Sequence, residues 1–299
     1  MSNQQSSHLI SLHEDGLYLL DLNKTTSLKL DLPFTLPALN EPVCILHCHG
    51  MMCFTLKGND DLAIWNPASK KFKRIPMVEP GQTTNLLGFG YDRFSDDYKI
   101  VTIIARKTYI YTFKESSWRE SVPVTAPECK LIYRTGTAVD HCMYWIADRS
   151  HIKNFRKEST ILCFDFANEE YQEVACPFLT KEKFSSWFGV LSGDVCLVNH
   201  YPVLHNDICV WRPGRVDKKI EHWSSDPWIH MRKALEGIQS VDIGFACIAR
   251  NDEVFIVVKG RGNGDDKVMV YDKRQEMFIE VPFGSSLKGF RCMSTYICQ

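Results

Sequence analysis

Long hydrophobic runs are missing from this chain. No stretch approaches the roughly 18 apolar residues of a membrane span, although 44% of the 299 residues are hydrophobic, an ordinary share for a packed core. Net charge is nearly absent too. Thirty-five Lys and Arg oppose 36 Asp and Glu, which leaves −1. No global field argues for a nucleic-acid or membrane partner. Residues 1–7 are polar, uncharged and followed by no apolar run, so no secretory leader is legible and a disordered tail is expected there. Metal-binding CxxC pairs do not occur among the 12 cysteines. Most of these cysteines sit in apolar strand patterns, at Cys53, Cys142, Cys163, Cys196, Cys209 and Cys247. They read as reduced, buried thiols in a cytoplasmic or nuclear protein.

What the chain does have is a repeat. Trp65-Asn66 is followed by Phe72 seven residues after the aromatic, then by Ile75 and Pro76 at plus ten and plus eleven. Tyr271-Asp272 gives the same offsets with Phe278, Val281 and Pro282. Phe164-Asp165 keeps Tyr171 and Val174, and Tyr111-Thr112 keeps Trp118. Leu20-Asp21 and Trp211-Arg212 are weaker copies. The anchors 20, 65, 111, 164, 211 and 271 are spaced by 45, 46, 53, 47 and 60 residues. Periods of about 40–50 residues with four short strands each belong to β-propellers. The expectation is all-β, a six-bladed kelch-like β-propeller, with residues 8–299 as a single domain.

Turn chemistry places the strands. Pro67 presets a turn backbone and Ser69 can bond its own chain, between a strand ending at Trp65-Asn66 and one running to Ile75. Blade two is expected over 43–75, blade three from 86, blade four over 131–174, blade five over 187–223 and blade six over 241–281. Residues 8–30 supply only three strands. Gly289-Phe290-Arg291-Cys292-Met293 resembles Gly244-Phe245-Ala246-Cys247-Ile248, which opens blade six. Residues 288–297 are therefore expected to complete blade one, so that N- and C-terminal strands pair and close the ring. One helix is expected between blades five and six, with Asp226 as N-cap, Pro227 in its first turn and Gly237 beyond its end.

Leu87-Gly88-Phe89-Gly90-Tyr91-Asp92 followed by Ser95-Asp96-Asp97-Tyr98-Lys99 resembles the hallmark of the plant F-box-associated domain. Further blocks match in order: Cys48-His49-Gly50, Ile64-Trp65-Asn66-Pro67, Ser117-Trp118-Arg119, Met143-Tyr144-Trp145-Ile146-Ala147 and Ile161-Leu162-Cys163-Phe164-Asp165. The resemblance covers residues 12–282. It implies a substrate-recognition domain of an SCF-type ubiquitin ligase that holds a target protein. In that family an F-box ahead of the propeller docks on the Skp adaptor and cullin. No F-box precedes the first strand here, so Skp and cullin are expected only where an F-box is supplied upstream. A decoy receptor that binds the same target is the alternative, and a propeller binding a small molecule or glycan is a further one.

No residue set points to catalysis, a cofactor or a metal. His47 and His49 alternate to the face opposite Cys48. Gly260-Arg261-Gly262-Asn263-Gly264 lies between two strands and reads as a hairpin loop, not a phosphate cradle. The acid pairs Asp96-Asp97 and Asp265-Asp266 fall in turns, where Asp is favoured for backbone reasons. Loop length gives the remaining signal. Within each blade the second-to-third loops leave one face and are long at 148–159, 201–206 and 260–266, as are the connectors 77–85 and 224–240. Function concentrates in such loops on a rigid scaffold. The loop 148–159 carries four Lys and Arg against two acids, with Phe155 as an anchor. Candidate partner contacts are Arg149, His151, Lys153, Phe155 and Arg156, with Tyr201, His205, Arg261 and Asn263 on neighbouring loops.

Overall fold

The computed structural model describes residues 8–13, 15–35, 45–56, 61–79, 86–125, 130–131, 136–148, 159–177, 185–202, 207–216, 219–226, 229–234, 242–249, 253–260, 264–283 and 292–296. Blade one holds β1 (His8–His13), β2 (Gly16–Asp21) and β3 (Thr26–Lys29). Blade two is β4 (Ile45–Cys48), β5 (Met51–Thr55), β6 (Asp61–Trp65) and β7 (Phe72–Pro76). Blade three is β8 (Leu86–Asp92), β9 (Asp97–Ile104), β10 (Lys107–Thr112) and β11 (Ser117–Thr125). In blade four, β12 (Lys130–Leu131) and β13 (Thr137–Val139) both pair with β14 (Cys142–Asp148), and β15 (Ser159–Asp165) and β16 (Glu170–Ala175) complete it. Blade five is β17 (Ser185–Leu191), β18 (Asp194–Tyr201), β19 (Asp207–Val216) and β20 (Lys219–Ser225). After α1 (Met231–Ala234) comes blade six: β21 (Ile243–Ala249), β22 (Glu253–Val258), β23 (Lys267–Asp272) and β24 (Met277–Glu280). Last is β25 (Cys292–Tyr296). Six antiparallel sheets of this order make a six-bladed β-propeller. The chain divides into two compact units, Met1–Asp31 with Thr180–Gln299, and Leu32–Leu179.

The sequence repeat is the closing hairpin of a blade. The plus-seven spacing makes Trp65 and Phe72, Tyr111 and Trp118, Phe164 and Tyr171, and Tyr271 and Phe278 direct cross-strand partners. Ring centroids in the last three pairs are 5.4, 4.9 and 5.3 Å apart. Each such pair contributes roughly 0.2–1 kcal/mol. The polar residue after the aromatic builds the turn. Asp165 Oδ1 accepts from the amides of Ala167 at 2.7 Å and Asn168 at 3.1 Å. Asp272 does the same for Arg274 and Gln275, and Asp21 for Asn23 and Lys24. Asn66 accepts from Ser69. Four residues beyond the polar residue the backbone turns left-handed, with φ of 53° at Thr25, 55° at Lys70, 54° at Ser116, 58° at Glu169 and 53° at Glu276.

Blade five departs from the pattern. There β19 runs on through Pro213-Gly214, with a bulge at Gly214/Arg215, so Trp211 pairs with Ser225. Arg212 grips Asp226 bidentately at 2.7 Å and Arg215 grips Asp194. The Asp226 carboxylate is therefore committed to Arg212 and is not the expected helix cap. The chain beyond it stays extended, with Ile229 bridging Ile208, and α1 begins only at Met231. Residues 227–228 and 235–241, where the rest of the expected helix falls, lie outside the described residues.

The two ends of the chain meet in blade one. β25 pairs antiparallel with β1, from Leu12 opposite Cys292 to His8 opposite Tyr296. Within the expected 288–297, residues 292–296 supply the missing strand and cover an edge that β1 would otherwise expose; 288–291 and 297 lie outside the described residues.

In the second unit, the glycines of Leu87-Gly88-Phe89-Gly90 keep β8 flat enough for blade four to lie on it. A Cβ at Gly88 would stand 2.7 Å from both Trp145 and Val101, and one at Gly90 would overlap the Phe166 ring. Trp145 Nε1 donates to the Leu87 carbonyl at 3.1 Å. Lys99 ties the same two blades together. It is 6% exposed and donates to the Phe166 carbonyl at 2.8 Å and to Glu169 at 2.9 Å, with the buried Asp92 carboxylate 3.0 Å away. Burial pushes the Asp92 and Glu169 carboxyls up. Hydrogen bonds outweigh it, from Ser95 and Lys99 to Asp92 and from Arg119 and Lys99 to Glu169, so both titrate below ordinary carboxylates.

Two outcomes are expected. Deleting residues 288–299 strips β25 from β1, and the truncated chain should unfold or aggregate; unchanged melting by circular dichroism would contradict the role given to β25. The second concerns acid. Carboxylates held below their unfolded values of about 4 stabilise the fold fully above that pH and lose this contribution as pH falls through the folded values. Melting temperature should therefore drop below about pH 4. Lys99→Met should cost about 3–5 kcal/mol at neutral pH, because it strands a buried carboxylate, and should flatten the acid slope. Denaturant titrations across pH measure both effects.

Candidate functional site

Register fixes which side of each sheet carries the long loops. In blade four Asp148 stands opposite Ser159, so 149–158 is a ten-residue excursion from one ladder rung. In blade five the bracket is Tyr201 opposite Asp207, and in blade six Val258 opposite Lys267. Blade three closes the equivalent connection with Ala105 and Arg106 alone, both left-handed at φ 48° and 69°. The strands below these loops are packed tightly. Trp145, Ile161 and Leu162 under the blade-four loop are fully buried, as are Val198 and Ile208 in blade five.

Arg149, His151, Lys153, Phe155, Arg156, His205, Arg261 and Asn263 lie outside the described residues, while the strands that launch their loops lie within them. Tyr201 is described and is a core residue, 2% exposed. Its hydroxyl takes a hydrogen bond from Asn199 Nδ2 at 3.2 Å, and Asn199 Oδ1 accepts from Ser186 at 2.7 Å. Tyr201 therefore braces the root of its loop from inside and offers no surface to a partner. Tertiary burial decided this, since a Tyr at a strand end is equally suited to a surface.

The blade-six loop stands on a closed neck. The Gly260 amide donates to Asp266 Oδ1 at 2.8 Å, and Lys259 Nζ pairs with Asp266 Oδ2 at 3.1 Å. A Cβ on Gly260 would collide with the Gly264 carbonyl, so glycine is needed where the two arms converge. β22 and β23 pair as a hairpin on either side of the Gly-rich stretch, whose residues 261–263 lie outside the described residues.

The opposite side carries the short turns. Phe94, 74% exposed, projects there with the Arg93 guanidinium 5.3 Å from its ring centre. Arg93 also reaches Asp140 at 3.6 Å. Asp96 accepts from the Tyr91 hydroxyl, and Asp97 is buried and accepts from the Lys114 amide at 3.2 Å. Both acids thus have structural duties in turns.

Groups with chemical potential are mostly shut away. Ser11 Oγ and His13 Nε2 lie 2.6 Å apart, but Ser11 is 0% exposed, so a substrate has no route to that hydroxyl. Burial pushes the Cys48, Cys176 and Cys209 thiols up to about 12 and the His47 imidazole down to about 4. These are packing groups. One cluster escaped the sequence reading, which assigned no metal ligands: His141 lies in the turn before β14, Cys142 starts β14, and Asp165 ends β15. Their ligand atoms lie within 4.8 Å of one another, and all three residues are half-buried. Only strand pairing brings positions 142 and 165 opposite each other. The signal present in the sequence was the alternation of Cys163 and Asp165 on one face, opposite a His-Cys turn.

Comparison with known proteins places this architecture. The family model described as the F-box associated beta propeller domain matches residues 9–298. The chain is 38% identical over 187 residues to "Putative F-box protein At3g16210" of Arabidopsis thaliana, covering 60% of this chain and 50% of that protein. It is 28% identical over 193 residues to "F-box protein At3g08750" of the same plant, again covering 60% and 50%. The chain therefore spans about half the length of these curated relatives. Among solved structures, TolB from Acinetobacter baumannii aligns with a TM-score of 0.58 at 8% identity, over 98% of this chain and 67% of that one, which is a likeness of fold alone.

Proposed function

Because the chain belongs to the F-box associated β-propeller family, we propose that it is the protein-recognition part of an SCF-type ubiquitin ligase receptor. It holds a target protein for ubiquitin-dependent degradation, and Skp and cullin are reached through an F-box. The work is binding, without catalysis of its own, and is done in the cytoplasm or nucleus. The supporting observation is the contrast within blades: tightly packed sheets launch a ten-residue excursion at 149–158 where blade three spends two residues. Rigid roots under long loops give a partner site that loses little entropy on binding.

The excess of Lys and Arg in 149–158 points to an acidic patch on the target. Arg149, Lys153 and Arg156 supply charge, with Phe155 as an apolar anchor; His151, His205, Arg261 and Asn263 flank them.

The test is affinity purification of the 299-residue chain from plant extract, followed by titration of each purified prey with wild-type and R149E/K153E/R156E protein. The triple reversal should weaken the target by at least about tenfold, near 1.4 kcal/mol, with melting unchanged. A prey bound equally by both proteins would overturn the role of the loop. Recovery of no specific prey would overturn the receptor reading.

A further inference from the structure

We propose that His141, Cys142 and Asp165 form a zinc site that pins two turns of blade four together. Four observations carry this. First, the imidazole, thiol and carboxylate atoms of His141, Cys142 and Asp165 all fall within 4.8 Å of one another, and His141 Nε2 already lies 3.7 Å from Asp165 Oδ2. Tetrahedral zinc, with bonds of about 2.0–2.3 Å, sets its donors about 3.3–3.8 Å apart, so the cluster needs to close by only about 1 Å.

Second, the donor types suit zinc. One thiol, one imidazole and one carboxylate form a donor set that prefers Zn²⁺ to Mg²⁺ or Ca²⁺.

Third, the histidine is oriented for the task. His141 Nδ1 lies 2.7 Å from Asp140 Oδ2, and Arg93 in turn reaches Asp140. With Nδ1–H donating to Asp140, the Nε2 lone pair faces the thiol and the second carboxylate. This carboxylate–imidazole pairing is how metal-bound histidines are held.

Fourth, Asp165 reaches the cluster as well as its own turn. Its Oδ1 accepts from the amides of Ala167 and Asn168, and its Oδ2 accepts from Asn168 Nδ2 at 2.9 Å while lying 3.7 Å from His141 Nε2. Blade one repeats the imidazole next to a turn carboxylate, His8 to Asp21 at 3.6 Å, yet among the described residues no thiol joins that pair in a three-donor group. Among the described residues, blade four alone gathers three such donors.

Three protein donors leave the fourth position to water, and zinc would link the start of β14 to the end of β15. Binding would displace the Cys142 thiol proton as the ion–sulfur bond forms.

The experiment uses the full chain, purified under a reductant that keeps the Cys142 thiol reduced, and zinc as the probe. Dialysis against a chromogenic zinc chelator followed by metal analysis should leave one zinc per chain, and the melting temperature should rise on zinc addition. Cys142→Ser and His141→Ala should each abolish retention at that chelator concentration. Asp140→Asn, which spares every ligand, should weaken binding about 10–100-fold. Should a variant fail to fold, cobalt added to the unaltered chain provides the second readout: tetrahedral d–d absorption with a thiolate charge-transfer band supports the site. Cobalt spectra of an octahedral, sulfur-free ion would overturn it. So would zinc that is not retained, or zinc retained equally by wild type and all three variants, which would mark adventitious binding to other cysteines.

Discussion

Each blade depends on the geometry of its last hairpin. An aromatic residue, the polar residue after it and a second aromatic seven positions on are enough to set two strands in register. The polar side chain caps the turn amides, the backbone turns left-handed four residues later, and the two rings meet across the strands. A slip of one residue would send both rings to the wrong face, so pairing and turn reinforce each other. Where the turn residues change, at Trp211-Arg212, the register changes too, and ion pairs from Arg212 and Arg215 hold a longer hairpin.

Between neighbouring blades of the second unit the constraint is close approach. Gly88 and Gly90 clear space for Trp145 and Phe166, and the buried Lys99 spans the same junction with every donor engaged. An apolar seam alone would tolerate sliding. A lysine held by two carboxylates and a carbonyl permits one arrangement, since any other leaves a charge buried without a partner.

Burial also separates the groups that hold the fold from those free to act. Most described cysteines are packed with their thiols pushed up, and the Ser11–His13 pair is sealed. Turn residues such as Phe94 stay exposed instead. This division would serve the proposed receptor, because loops can change without disturbing the ladders below.

Local pattern determined the six blades, the closing of blade one by the C-terminal strand and the hairpin of β22 and β23. Those features rest on periods of two and seven residues and on turn chemistry, which a linear chain displays directly. Tertiary structure alone decided the rest. Tyr201 became a buried brace because its neighbours Asn199 and Ser186 turn inward to meet it. Asp226 became the partner of Arg212, since the extended β19 brought a guanidinium to it before a helix could use it as a cap. His141, Cys142 and Asp165 became one cluster because β14 and β15 pair in a single register. In each case the deciding contact joins residues whose spacing in the chain carries no period, so only the paired strands could reveal it.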